Sequence, residues 1–187
     1  MLDAVAPLGQ NELCRDLKSS FGSVRDTLVH ILSAEFVWCS RWHCHSPTEH
    51  LAADEYGSLP AVRARWVEHE RKVRAFIATL DDGDADGVFE YRVFSGQWTS
   101  SVLSQMLQHL VNHASYHRGQ VTAMLRQLGA TPPKSQDLIT FYRVIETAAA
   151  ERCATLVDAS LESRRQIAAK ALARSPSDLA QERRNRA

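Results

Sequence analysis

No stretch of this 187-residue chain is apolar for the roughly 20 residues that a bilayer span needs, so a transmembrane helix is not expected. Neither sign of charge is in excess: 22 basic side chains meet 22 acidic ones. That balance supplies no net field to hold a nucleic acid or an anionic membrane surface, and neither partner is expected. Cysteines are few and unordered. Cys14, Cys39, Cys44 and Cys153 show no paired spacing, which argues against a disulfide framework and for reduced thiols. The opening MLDAVAPLGQNEL is acidic and interrupted by Pro7 and Gly9, unlike a secretion signal. A cytoplasmic protein is therefore the expectation. No internal repeat is visible.

What is present is a helical pattern in a chain that is 44% hydrophobic. Its length suits one domain and a tail. Residues 2–18 read as a helical end, a Pro/Gly break and a short helix through Leu13 and Leu17. The next helix runs over about 21–45, with Val24, Leu28, Ile31, Trp38 and Trp42 as its buried stripe and Ser46–Pro47 as its stop. After a polar loop over 48–58, Pro60 suits the first turn of a third helix reaching about residue 80. The run DDGDADG (81–87) reads as a solvated turn; an EF-hand would need Glu at the twelfth position, where Arg92 stands. Residues 88–98 alternate loosely, as a short extended pair or loop, and Thr99 to Ser101 offer caps for the helix that follows.

The stretch 105–130 organises the rest. Leu103, Leu107, Leu110, Ala114, Val121, Leu125 and Leu128 recur at helical spacing, and Gly129 with Pro132–Pro133 marks the end. His109, His113 and His117 stand four residues apart. With Leu110 at the centre of the apolar stripe, His117 lies roughly 20° away, His113 roughly 60° and His109 roughly 100°. Two imidazoles thus point inward, where each ring needs a partner. Carbonyls, hydroxyls or a carboxylate would serve; a divalent ion suits two stacked imidazoles as well. On the earlier helix, His30 sits about 100° from Ile31, at the margin of the stripe. A rival cluster is CSRWHCHSPTEH, with Cys39, His43, Cys44, His45 and His50, but its spacing matches no familiar zinc finger.

The stretches FGSVRDTLVHILSAEFVW, RARWVEHE, LQHLVNHASYHRGQVTAMLRQLGA and QDLITFYR together resemble the DinB-like (DinB/YfiT) family of proposed metalloproteins, over roughly 17–146. The family's name carries a damage-inducible link, which the balanced charge of this chain does not extend to DNA. The resemblance implies an all-α fold, an up-down-down-up four-helix bundle, here with its first helix truncated and with a C-terminal helical extension. Domain limits of 1–150 for the bundle and 151–187 for the extension, partly helical and then disordered, follow from the composition. The resemblance also implies a divalent metal (Zn, Ni, Fe or Mn not distinguished) held by His30, His113 and His117, with His109 outside the ligand set. Cys44 stands where the family commonly has glycine.

On this reading the chain is a divalent-metal-binding protein, open to a small-molecule substrate or thiol and acting as a metal-dependent hydrolase or low-molecular-weight-thiol transferase. The other reading is a non-catalytic, stress-related bundle or assembly module with a structural metal or none. A homodimer is compatible with either. Glu35 lies about 140° from His30 on its helix and is not an easy general base. Arg118 could hold a substrate carboxylate, although most such arginines form structural or solvated pairs.

Overall fold

A computed structural model of the chain describes residues 1–147, 162–163 and 165–166. The chain divides into two units, Met1–Pro133 and Lys134–Ala187, and each is taken by itself. In the first unit, two short helices, α1 (Leu2–Val5) and α2 (Gln10–Leu13), precede three long ones: α3 (Val24–Trp42), α4 (Leu59–Ile77) and α5 (Leu103–Gln127). The second short helix stops at Leu13 rather than continuing to Leu17.

Local chemistry sets the helix ends. Ser23 caps α3 by accepting from the Asp26 N–H at 3.1 Å, with Asp26 itself in the first turn. Ser58 does the same for α4 through Ala61, and Pro60 falls in that helix's first turn. At the end of α5, Gly129 takes φ +72°; its N–H and that of Ala130 close back on the carbonyls of Arg126 and Leu125. The end of α3 has the same shape, with Cys44 at φ +58° and with Cys44 and His45 donating to Arg41 and Ser40. A side chain costs free energy in that left-handed conformation. Cys44→Gly is therefore expected to raise unfolding stability by about 1 kcal/mol, read from urea midpoints.

Two apolar clusters fix the directions of the long helices. Val24, Leu28 and Val29 of α3 meet Val62 of α4 and Val121, Met124 and Leu125 of α5, with Val5 and Leu13 closing the same cluster. At the other end, Cys39 and Trp42 meet Leu103 and Met106, with Val73 and Phe76 alongside. Helices α3 and α4 therefore run parallel, and α5 runs antiparallel to both. Leu28, Ile31 and Leu32 are fully buried, each contributing about 1.5–3 kcal/mol of transfer free energy.

The sequence led to an all-α fold class with a short extended pair or loop over 88–98; the structure is mostly helical and forms that pair as a two-stranded sheet reaching Val102. Strands β1 (Val88–Arg92) and β2 (Trp98–Val102) pair antiparallel, with Tyr91 opposite Thr99. Thr99 to Ser101 are thus ladder residues of β2 and not caps. Helix α5 follows β2 directly, without a side-chain cap; the Leu103 N–H donates instead to the Gly87 carbonyl at 2.9 Å. Backbone pairing won over capping because Tyr91 packs inward, 6% exposed, and holds the hairpin on the second apolar cluster.

In the second unit, residues 138–147 are helical, and Leu138, Phe141, Tyr142 and Ile145 are exposed. The expected extension over 151–187 lies outside the described residues except for 162–163 and 165–166, which are helical. Among the described residues no helix is long and apolar enough to cross a membrane.

Candidate metal centre

Three imidazoles converge where α3 and α5 face each other. His30 and His113 approach to 3.0 Å between their Nε2 atoms, although 83 residues separate them in the chain. The ring of His117 lies 4.6 Å from His30 and 4.4 Å from His113, centroid to centroid. The ligand nitrogens of all three lie within 4.8 Å of one another. Periodicity put His30 at the margin of its stripe, and the structure keeps it half-buried there, turned towards the facing margin of α5.

The donor set suits a divalent cation. Two nitrogens each about 2.1 Å from one ion and at right angles to it stand about 3.0 Å apart, the separation found for His30 and His113. The protonation states suit it too. Burial, with the neighbouring imidazoles second, pushes the pKa of His30 and of His113 down to about 4. At neutral pH both rings are uncharged. A neutral imidazole donates through one nitrogen and offers a lone pair on the other. Gln120 fixes which nitrogen of His117 is which. Its Oε1 accepts from Nδ1–H at 2.8 Å, leaving Nε2 to face the other two rings, and its own amide reaches Ser20 at 3.3 Å. Gln120→Ala is expected to weaken binding of a divalent ion about 10–100-fold with little effect on folding, measured by competition with a chelator of known affinity.

A wall of rings surrounds this group. Phe21 stacks on His30 at 3.8 Å and meets His117 edge-on at 5.3 Å. His50 comes from the loop after α3, 5.8 Å from His30, and is held by Ser33 at 2.8 Å. Ser33 in turn accepts the Leu51 N–H, which fixes the loop to the helix. Burial first, and the charge of Arg41 second, lower the pKa of His50. His109 is exposed, 5.7 Å from His113 and edge-on to Trp38 at 5.3 Å, and does not join the ligand group.

The rival cluster is not assembled. Cys39 Sγ lies 4.0 Å from His43 Nδ1, but that ring's N–H is spent on the Cys39 carbonyl at 2.8 Å. Cys44 and His45 are exposed, and His50 has turned to the other centre. Among the described residues only His30, His113 and His117 form a group close enough to share an ion.

Glu35 and Arg118 belong to a different polar cluster. Burial raises the Glu35 pKa to about 7, against a hydrogen bond from Trp66 and the nearby charge of Arg118. Arg118 Nη2 also donates to Ser115 at 2.8 Å.

Sequence reasoning passed over Phe21, Ser33 and Gln120. Gln120 was legible, since a residue three after His117 shares its helix face. Ser33, three after His30 on α3, was legible in the same way, whereas Phe21 comes from the turn before α3 and His50 from the loop after it, and no periodicity reports such contacts.

The comparisons with known proteins bear on family and fold. The chain is 47% identical over 140 residues to Protein DinB of Bacillus subtilis (strain 168), an alignment covering 72% of this chain and 81% of that protein. Its fold is similar to the crystal structure of a DinB-like protein from Bacillus cereus ATCC 10987, with a TM-score of 0.55 at 22% identity, over 72% of this chain and 87% of that one. The DinB family profile matches residues 1–152, and the chain belongs to the DinB family.

Proposed function

We propose that this protein binds one divalent metal ion through His30, His113 and His117 and uses it on a small-molecule substrate, as a hydrolase or a low-molecular-weight-thiol transferase. The observation that carries the proposal is the open ligand set. Three imidazoles converge, those of His30 and His113 neutral, and among the described residues no fourth His, Cys, Asp or Glu joins them. Structural zinc sites are closed by four protein ligands, whereas catalytic sites keep a position free. An ion in such a site lowers the pKa of a water or thiol that it binds towards neutrality.

The chain's own residues prepare the site. Phe21 stacks on His30 and His50 contacts the same ring, and Gln120 holds the His117 tautomer. The balanced charge supports a small-molecule substrate over a nucleic acid, and a cytoplasmic location is part of the same proposal. The parallel α3 and α4, with α5 antiparallel, support the up-down-down-up bundle.

Cobalt-loaded protein tests the open position. Titration with glutathione is expected to produce a sulfur-to-cobalt absorption band that saturates, with cobalt retained. Retained cobalt with no band at any thiol concentration would leave a closed, structural ion and defeat the catalytic reading.

A further inference from the structure

Arg41 is buried to 6% exposure at the far end of α3, and no carboxylate pairs with it among the described residues. Its guanidinium carbon lies 4.6 Å from the Trp38 ring centroid, 4.5 Å from Tyr91 and 5.8 Å from Phe94. Its Nη2 makes one long bond, 3.4 Å, to the Arg92 carbonyl, and its Nε has no partner. Aromatic faces attract a cation but do not neutralise it. A guanidinium removed from water with its donors unspent is costly unless an anion completes it.

The place of this cation gives it meaning. Arg41 and His30 are eleven residues apart on α3, roughly 16 Å of helix axis at 1.5 Å per residue. The Arg41 side chain turns back over Trp38, one turn towards His30. Two chains of ring contacts join it to the histidine centre. One runs from Arg41 by Phe94 and His50 to His30, and the other by Trp38 and His109 to His113. Two rows of rings, tilted 37–65° to one another, therefore link the three imidazoles to an uncompensated positive charge.

We propose that Arg41 binds a carboxylate of the substrate whose reacting end lies at the three histidines, an assignment of substrate class that rests on the metal-centre reading. The planar fork of a guanidinium matches a carboxylate by paired hydrogen bonds. A single cation between flat ring faces suits a planar monoanion better than a tetrahedral dianion. The substrate is thus elongated: an acid at one end, an apolar middle, and the reactive group at the other end.

Matched probes test this. On cobalt-loaded wild-type protein, 6-mercaptohexanoate is expected to bind about tenfold or more tightly than 6-mercapto-1-hexanol, and the preference is expected to vanish in Arg41→Met with its cobalt content unchanged. Equal affinity of the two thiols for wild type, or a preference kept by Arg41→Met, would overturn the proposal. A second arm needs no metal. Hexanoate, but not 1-hexanol, is expected to raise the melting temperature of metal-free wild type and to leave that of Arg41→Met unmoved. Absence of that difference counts against Arg41 alone, whereas wild type that takes up no cobalt counts against the metal centre alone. Should Arg41→Met fail to fold, Arg41→Lys, which keeps the charge and loses the planar fork, is expected to retain less than half of the preference in binding free energy, and full retention would overturn the carboxylate assignment.

Discussion

Replacing His113 by alanine is expected to strip the purified protein of its divalent ion, lowering metal affinity by more than about 100-fold, the size that loss of an outer partner alone can reach. Elemental analysis of wild type and variant, prepared identically, is the measurement. His113 is central to the group: its ring contacts both other members, His30 at 4.9 Å and His117 at 4.4 Å. His109→Ala should leave the metal in place, because the His109 ring is turned to Trp38. Metal lost on His109→Ala and kept on His113→Ala would move the ligand set one turn along α5 and defeat the assignment. The pH dependence has a sign of its own. His30 and His113 have pKa values near 4 in the metal-free fold, against 6.5 for a free imidazole. Protons therefore compete poorly with metal until the pH falls well below 6. Retention of the ion at pH 5.5 and release near pH 4 is the expected profile; release with a midpoint near 6.5 would mean that the rings are solvated and not held as described.

The second large effect lies away from the metal centre. Glu35→Gln is expected to stabilise the protein by about 3 kcal/mol at pH 8 and by almost nothing at pH 4, read from urea unfolding at the two pH values. Burial between α3 and α4 raises the Glu35 pKa from 4.5 to about 7. The folded protein thus holds a proton on Glu35 over a range in which the unfolded chain has already released it. The stabilising contribution is full below pH 4.5, is lost progressively as the pH rises from 4.5 to 7, and stays lost above that. Glutamine mimics the protonated form at every pH, so the variant should lack this slope. The hydrogen bond from Trp66 and the charge of Arg118 favour the ionised form, and burial outweighs both. A variant whose stability followed the wild-type curve in parallel would show that Glu35 is ionised and solvated in the native state.

The helical part of this architecture could be read from spacing because its signals are local. Leu110, Ala114, Val121 and Leu125 repeat along one element, Pro60 sits in a first turn, and Gly129 takes the left-handed conformation its position demands. The inward turn of His113 and His117 followed from the same angles. What spacing could not supply was the facing partner. His30 lies on the edge of its own stripe, and only the antiparallel approach of α5 turns that edge into an interior. The hairpin was harder still. Residues 98–102 carry serine and threonine, which suit a helix start equally well, and the choice was settled by the nonlocal packing of Tyr91. The same hairpin buries Arg41, whose side chain on sequence grounds belongs in water. Tyr91 and Phe94 come from about fifty residues away, so the chain's local pattern carries no trace of that slot.

The 3.0 Å approach of His30 to His113 spans 83 residues of chain. An ion seated there would act as a removable staple. Held by the folded chain and released on unfolding, it stabilises by mass action, by about 2.7 kcal/mol at a free concentration of 100 times its Kd, a sizeable share of a typical domain's stability. Starving a cell of the metal would then thin out the folded population itself, and chaperones or proteases would meet more of this chain before any substrate noticed the loss.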